Sequence, residues 1–137
     1  MTKRCNSTLF LQCGVFPDFR PCVNLAEANK RLKQCCLGRL MGKCADICQY
    51  NVDGAKVRDY ARRNICGLHH FQPFLDCASA KKDNRGCCAS RNVVESTGPQ
   101  CRAFCNPSNG LGLIGIGHMI CANKLLDIMN CHWAGVR

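Results

Sequence analysis

A cysteine spacing that occurs twice is the feature that most constrains the fold of this chain. The first copy spans residues 35–77 and the second spans residues 87–131. In each copy a CC doublet is followed by a C-x3-C pair and then by two single cysteines, and only the loops differ in length. A duplicated six-cysteine unit is typical of an extracellular module held together by disulfide bonds. We therefore predict that the cysteines of each half pair within that half, mostly in equivalent ways.

Composition supports a disulfide scaffold. The 137 residues include 15 cysteines but only 31 Leu, Ile, Val and Phe residues. Burial of so few apolar side chains would leave little folding stability once the loss of chain entropy is subtracted. Zinc modules repeat C-x2-C pairs or pair cysteines with spaced histidines, whereas the close pair here is C-x3-C. We predict no metal and no cofactor. No stretch reaches the length of about 18 apolar residues that a membrane span requires.

The first 21 residues differ from the rest and are predicted to form an irregular arm, with the module following over 22–137. The arm contains Pro17, Pro21 and the glycosylation sequon that begins at Asn6. Fifteen cysteines cannot all pair within one chain, and Cys5, near the end of the arm, is predicted to be free or to bridge two chains. The remaining cysteines are predicted to form disulfides: Cys13, Cys22, Cys35, Cys36, Cys44, Cys48, Cys66, Cys77, Cys87, Cys88, Cys101, Cys105, Cys121 and Cys131.

Helical signals recur along the chain, and alternating strand patterns are scarce. Asn24 with Glu27 three positions later predicts a helix start, and Asp53 is a second N-cap, for a helix through Cys66. We expect Pro73 to kink or break the following helix. Residues 113–133 fit one amphipathic core helix. The predicted fold is all-α: a small disulfide-rich module of two pseudo-repeated halves.

The cysteine pattern resembles the DB module, a cysteine-rich domain of secreted and cell-surface proteins of nematodes and insects. The resemblance covers residues 35–131 and implies an extracellular location and a disulfide scaffold, without any catalytic residue. Two features depart from the family pattern: the stretch 92–100 is a few residues longer, and three N-terminal cysteines lie outside it. The residues that carry the resemblance are Cys35-Cys36, Cys44-x3-Cys48, Tyr50, Cys66, Cys77, Asp83-Asn84, Cys87-Cys88, Cys101-x3-Cys105, Cys121 and Cys131.

Catalytic motifs are not visible in the sequence. A nucleophilic cysteine needs a thiolate-stabilising site, but the repeated pattern accounts for nearly every cysteine. His69 and His70 beside Phe71 fit a partly exposed helix surface, and His118 and His132 show no metal-binding spacing. Carboxylates are few and scattered, which gives no support to a paired-acid mechanism. We predict that the protein is not an enzyme.

A net charge of +10 is the main hint about partners. Outside the cell the available polyanions are sulfated glycans, anionic lipids and acidic protein surfaces, so nucleic acid is not expected. The basic clusters are interpreted either as a solvated face that maintains solubility or as a binding face. The candidate binding residues are Arg58, Arg62, Arg63, Lys81, Lys82 and Arg85, with a further cluster at Lys30, Arg31 and Lys33.

The glycine-rich stretch 110–118 has two open interpretations. It can be a closely packed approach to the last helix or a loop that inserts into a partner or a lipid. Taken together, the sequence predicts a secreted module that binds another extracellular protein or receptor, as a ligand, co-receptor fragment or modulator. A glycosaminoglycan-binding matrix protein and a carrier of a small apolar ligand are the alternatives, and a disulfide-linked dimer is possible through the arm.

Overall fold

The computed structural model describes residues 12–111 and 114–137. Over these ranges the chain forms helices and turns and no strand. The α-helices are α1 (Leu25–Gly38), α2 (Gly54–Arg62), α3 (Phe71–Ser79), α4 (Arg85–Ser90), α5 (Val93–Thr97) and α6 (Leu125–Gly135). The 3-10 helices are Gly42–Ile47, Leu68–His70, Pro99–Cys105, Pro107–Asn109 and Ile116–Lys124. The predicted all-α, disulfide-rich fold is confirmed.

Three disulfides hold each half, and they join equivalent cysteines. The first cysteine of the doublet bonds to the last cysteine, and the second bonds to the second member of the C-x3-C pair. The first member of that pair bonds to the fifth cysteine. None of these bonds crosses between the halves, which confirms the predicted equivalent pairing. The bonds are Cys35–Cys77, Cys36–Cys48 and Cys44–Cys66 in the first half, and Cys87–Cys131, Cys88–Cys105 and Cys101–Cys121 in the second.

The longest bond of each half encloses the other two along the chain. These two bonds span sequence separations of 42 and 44 residues. In the chain-entropy account, closing a loop of that size stabilises the folded state by about 4 kcal/mol. Each half therefore has its own covalent frame, which compensates for the small number of large apolar residues.

Helix α3 connects the cores of the two halves. It packs against α1 of its own half and against α6 and the 3-10 helix Pro107–Asn109 of the second half. Phe74 and Leu75 of α3 are fully buried, as are Ile128 and Met129 of α6. Because these side chains belong to one continuous core, the halves form a single packed unit.

The helix starts that the sequence predicts are found, but one predicted end is wrong. The side chain of Asn24 accepts a hydrogen bond from the amide of Glu27 at 2.9 Å and begins α1. Asp53 accepts hydrogen bonds from two amides and begins α2. The second helix ends at Arg62 instead of continuing through Cys66, because Asn64 adopts a left-handed conformation (φ 61°). That turn redirects the chain so that Cys66 reaches Cys44.

Two further helix predictions are corrected. Pro73 does not break its helix, because α3 begins at Phe71 and Pro73 lies in the first turn, where the missing N–H has no intrahelical acceptor. The single helix predicted over 113–133 is instead the 3-10 helix Ile116–Lys124 followed by α6. Glycines in its first part disfavour an α-helix.

A hydrogen-bonded polar pair is buried between α4 and α6. The amide nitrogen of Asn84 lies 2.8 Å from Nδ1 of His132, and Nε2 of His132 lies 2.8 Å from the carbonyl oxygen of Phe104. Nε2 therefore donates its proton to Phe104, and Nδ1 accepts from Asn84, so the ring is neutral. Burial lowers the pKa of His132 to about 4, although the hydrogen bond to the carbonyl opposes this shift.

The corresponding positions of the first half are apolar. Leu32 lies three residues before the CC doublet of the first half, and Asn84 lies three residues before the doublet of the second half. Ala78 directly follows the last cysteine of the first half, as His132 does in the second half. Leu32 and Ala78 are both buried. The same core position is thus filled by packing in one half and by hydrogen bonds in the other.

The arm that precedes α1 is irregular in its described part and is bonded to itself. Cys13 forms a disulfide with Cys22, and the indole N–H of Trp133 donates to the carbonyl of Val23 at 2.7 Å. The bond to Trp133 holds the end of the arm against α6. Fourteen of the 15 cysteines are thus paired. Cys5 and the sequon residue Asn6 lie outside the described residues.

Candidate interaction surfaces

A shallow apolar groove lies between the two halves. Leu68 and Phe71 line it from the first half, and Phe104, Met119 and Leu125 line it from the second. Its cavity volume is about 40 Å³. Pockets for small ligands measure about 300–1,000 Å³. The groove is therefore a surface on which another apolar surface can pack, and it is too small to enclose a ligand.

The 3-10 helix Ile116–Lys124 extends this apolar surface into solvent. Residues three apart share a face of a 3-10 helix, which aligns Ile116, Met119 and Ala122. Ile116 is 82% exposed and Met119 is 56% exposed, and both Met119 and Ala122 line the groove. The sequence interpretation missed this surface because it assumed an α-helical period, which turns Ile116 and Ile120 toward the core.

Local contacts hold this 3-10 helix in place. The ring of His118 stacks on Phe104 with a centroid separation of 6.0 Å, and Nδ1 of His118 accepts the amide proton of Gly115. The side chain of Gln100 donates to the carbonyl of Gly117 at 3.0 Å. The packing interpretation of the stretch 110–118 holds for Leu111 and Ile114, which contribute to the core, whereas Ile116 is exposed. Insertion of this stretch into a partner or a lipid stays a prediction. Gly112 and Leu113 lie outside the described residues.

Three of the candidate binding cations lie together on α2. Arg58, Arg62 and Arg63 are all exposed. Asp59 forms ion pairs with Arg62 at 3.1 Å and with Arg63 at 3.0 Å. The hydrogen bond from Arg63, followed by the other contacts with these arginines, lowers the pKa of Asp59. The carboxylate compensates part of the charge, as expected for a solvated helix face.

The other three candidate cations lie in and beside the segment that connects the halves. Lys81 and Lys82 are exposed, and Arg85 forms two hydrogen bonds with Asp83, at 2.9 and 2.7 Å. The structure also brings Lys82 into one cleft with Arg31, which the sequence assigns to a different basic cluster. Spacing along the chain contains no signal for that juxtaposition.

Three of the four histidines form hydrogen bonds within the fold. His69 is exposed beside His70, and Nδ1 of His70 accepts the amide proton of Gly67 at 2.9 Å. Over residues 12–111 and 114–137, no group of three or more His, Cys, Asp or Glu side chains is arranged to hold a metal ion. In the same ranges none of the helices combines the length and the apolar character that crossing a membrane requires.

Comparison with known proteins identifies one family. The family model described as the DB module matches residues 35–132, which include all six disulfides of the two halves. No curated protein and no solved structure matches the chain. The Cys13–Cys22 loop precedes the matched region.

Proposed function

From the premise that this chain belongs to the DB module family, we propose that it is a secreted, non-catalytic protein–protein interaction module. It acts as a ligand, a co-receptor fragment or a modulator of an extracellular receptor. The disulfides support the extracellular location, because structural disulfides persist in oxidising compartments.

The observation that carries the proposal is the shallow apolar groove between the halves. Disulfides fix both of its walls: Cys66 lies two residues before Leu68 and bonds to Cys44, and Cys121 lies two residues after Met119 and bonds to Cys101. A surface that is rigid before binding loses little conformational entropy in the complex. Exposed apolar side chains on a rigid surface are the typical core of a protein interface.

The shape and charge of the molecule indicate the chemistry of the partner. A groove of about 40 Å³ suits a protein surface better than a small apolar ligand, so it favours an interaction module over a carrier. The net charge of +10 favours a partner whose apolar patch is surrounded by acidic residues. The expected partner is therefore an extracellular protein with an acidic rim around an apolar centre.

Binding to displayed ectodomains tests this function. The purified module is incubated with a yeast-displayed library of secreted proteins and receptor ectodomains. The affinity of each saturable interaction is then measured again with the Ile116→Gln/Met119→Gln variant. The substitutions remove apolar contact without changing charge, and they are expected to weaken binding about tenfold or more.

A second double variant serves as a matched control. Leu37, near the end of α1, and Leu40, two residues beyond it, are 58% and 92% exposed, close to the values for Met119 and Ile116. Both lie outside the groove. Leu37→Gln/Leu40→Gln is expected to bind like the unmodified protein. A library without any saturable ectodomain would overturn the proposed function. Loss of binding in the Leu37/Leu40 variant alone would overturn the assignment of the groove.

A further inference from the structure

A second concave site lies on another part of the molecule, where α1, the end of α3 and the C-terminal residues meet. Its volume is about 370 Å³, within the range of small-ligand pockets. Leu32 and Val136 contribute apolar surface, and the Cys35–Cys77 disulfide forms part of the wall. Unlike the groove, this cleft is large enough to contain one or two sugar rings.

The cleft concentrates positive charge. Arg31, Lys82 and Arg137 line it, and no Asp or Glu is among its described lining residues. Glu27 lies next to it and pairs with Nε of Arg31 at 2.8 Å, while Nη1 of Arg31 donates to the main-chain oxygen of Arg137. These bonds orient the guanidinium through Nε and Nη1. With Arg31, Lys82 and Arg137 around it, the cleft has more hydrogen-bond donors than acceptors.

A strained turn brings Lys82 to this cleft. Ala80 and Lys81 both have left-handed backbone conformations, with φ of 51° and 63°. This backbone conformation is strained for any residue other than glycine. The buried Ser79 supports the turn: its hydroxyl accepts the amide proton of Lys81 and donates to the carbonyl of Asp76.

The second half does not contain this turn. Ala134 follows the last cysteine of its half by three residues, as Ala80 does, but it continues the α-helix α6. The left-handed pair is therefore not a requirement of the repeated half. The left-handed pair changes the direction of the chain beside the cleft. Lys82 follows directly, and its amide donates a hydrogen bond to the carbonyl of Ser79 at 2.9 Å.

We infer that this cleft is a binding site for a sulfated sugar unit of an extracellular glycan. Lys and Arg donate charge-assisted hydrogen bonds to sulfate oxygens, and the apolar wall accommodates the carbon face of a sugar ring. The inference depends on the extracellular location in the proposed function, but it needs no protein partner. Its site is distinct from the groove, so the two activities can be lost separately.

Titration with a heparin-derived tetrasaccharide tests the site with purified components. Calorimetry at two salt concentrations is expected to show binding that Lys82→Glu weakens about tenfold, with a smaller salt dependence. Lys82→Gln is expected to give a smaller loss in the same direction. Because Lys82 is exposed, both variants are expected to keep the folded structure, which circular dichroism and the disulfide map verify.

Lys43→Glu is the matched control. Lys43 is exposed on the 3-10 helix Gly42–Ile47, outside the cleft, and its substitution changes the net charge equally. It is expected to retain affinity within about twofold, since it acts only through long-range electrostatics. Equal losses in Lys43→Glu and Lys82→Glu would overturn the site. Equal affinity for the desulfated tetrasaccharide or for an oligoglutamate peptide would overturn the sulfate assignment. The Ile116→Gln/Met119→Gln variant should bind the tetrasaccharide normally.

Discussion

The buried Asn84–His132 pair predicts that acid destabilises the fold well above the pH at which carboxylates titrate. In the folded protein His132 is neutral and its pKa is lowered to about 4. In the unfolded chain the ring has an ordinary pKa of about 6.5 and binds a proton as the pH falls. The contribution of His132 to stability is therefore complete above pH 6.5 and is lost progressively as the pH falls from 6.5 to 4.

The size of the effect follows from these two pKa values. Between pH 6.5 and pH 4 the free energy of unfolding falls by about 1.4 kcal/mol per pH unit at most. Integration gives a loss of about 2 kcal/mol between pH 7.5 and pH 5. The pKa values of Asp46, Asp59 and Asp83 are lowered, so these carboxylates contribute mainly below this window.

Guanidinium denaturation with intact disulfides, at pH 7.5 and pH 5, measures the loss. The comparison variant is Asn84→Leu/His132→Ala, which reproduces Leu32 and Ala78 of the first half and removes the buried ring. Burial and the neighbouring His69 also lower the pKa of His70, so a smaller slope of the same sign is expected to remain in that variant.

Two results would contradict the reasoning. One is an NMR titration in which His132 has a pKa near 6.5 in the folded protein. The other is a stability difference between pH 7.5 and pH 5 that is the same in the unmodified protein and in the double variant.

Two further predictions concern single side chains. Tyr50→Phe is expected to lower the free energy of unfolding by about 1–2 kcal/mol, because the buried hydroxyl donates to the carbonyl of Ala78 at 2.7 Å. Urea denaturation measures this change in the free energy of unfolding. Tyr60→Phe is the control: the hydroxyl of Tyr60 bonds to the partly exposed Asp46, so its removal is expected to lower the free energy of unfolding by less. Alkylation without reductant followed by mass spectrometry is expected to label Cys5, or to find a Cys5-linked dimer; label on any of the fourteen paired cysteines would contradict this.

The sequence predicts that each half forms its own disulfides, because the cysteine spacing is duplicated with six cysteines in each copy. It does not predict which cysteines pair, because six cysteines allow 15 connectivities. The doubled pattern indicates two halves, and Asn24 and Asp53 mark helix starts because an N-cap acts on amides within three residues. These features need no knowledge of tertiary structure.

The surfaces could not be predicted in the same way, because they depend on contacts between distant segments. Leu68 and Met119 line one groove but belong to different halves, and Arg31 and Lys82 meet only because α1 and the end of α3 are adjacent. The exposure of Ile116 depends on a 3-10 period that glycine content alone does not specify. No local pattern indicates that the side chains of Asn84 and His132 meet in the core.

The confinement of the disulfides to separate halves has a consequence for proteolysis. Lys81 and Lys82 are exposed between the halves, so a trypsin-like protease can reach a dibasic site there. After a cut at that site no described disulfide would connect the fragments, and non-covalent contacts would hold them together, chiefly the packing of α3 against α6 and the 3-10 helix Pro107–Asn109. The nicked protein would be a non-covalent heterodimer, whose two fragments separate on a denaturing gel without reductant.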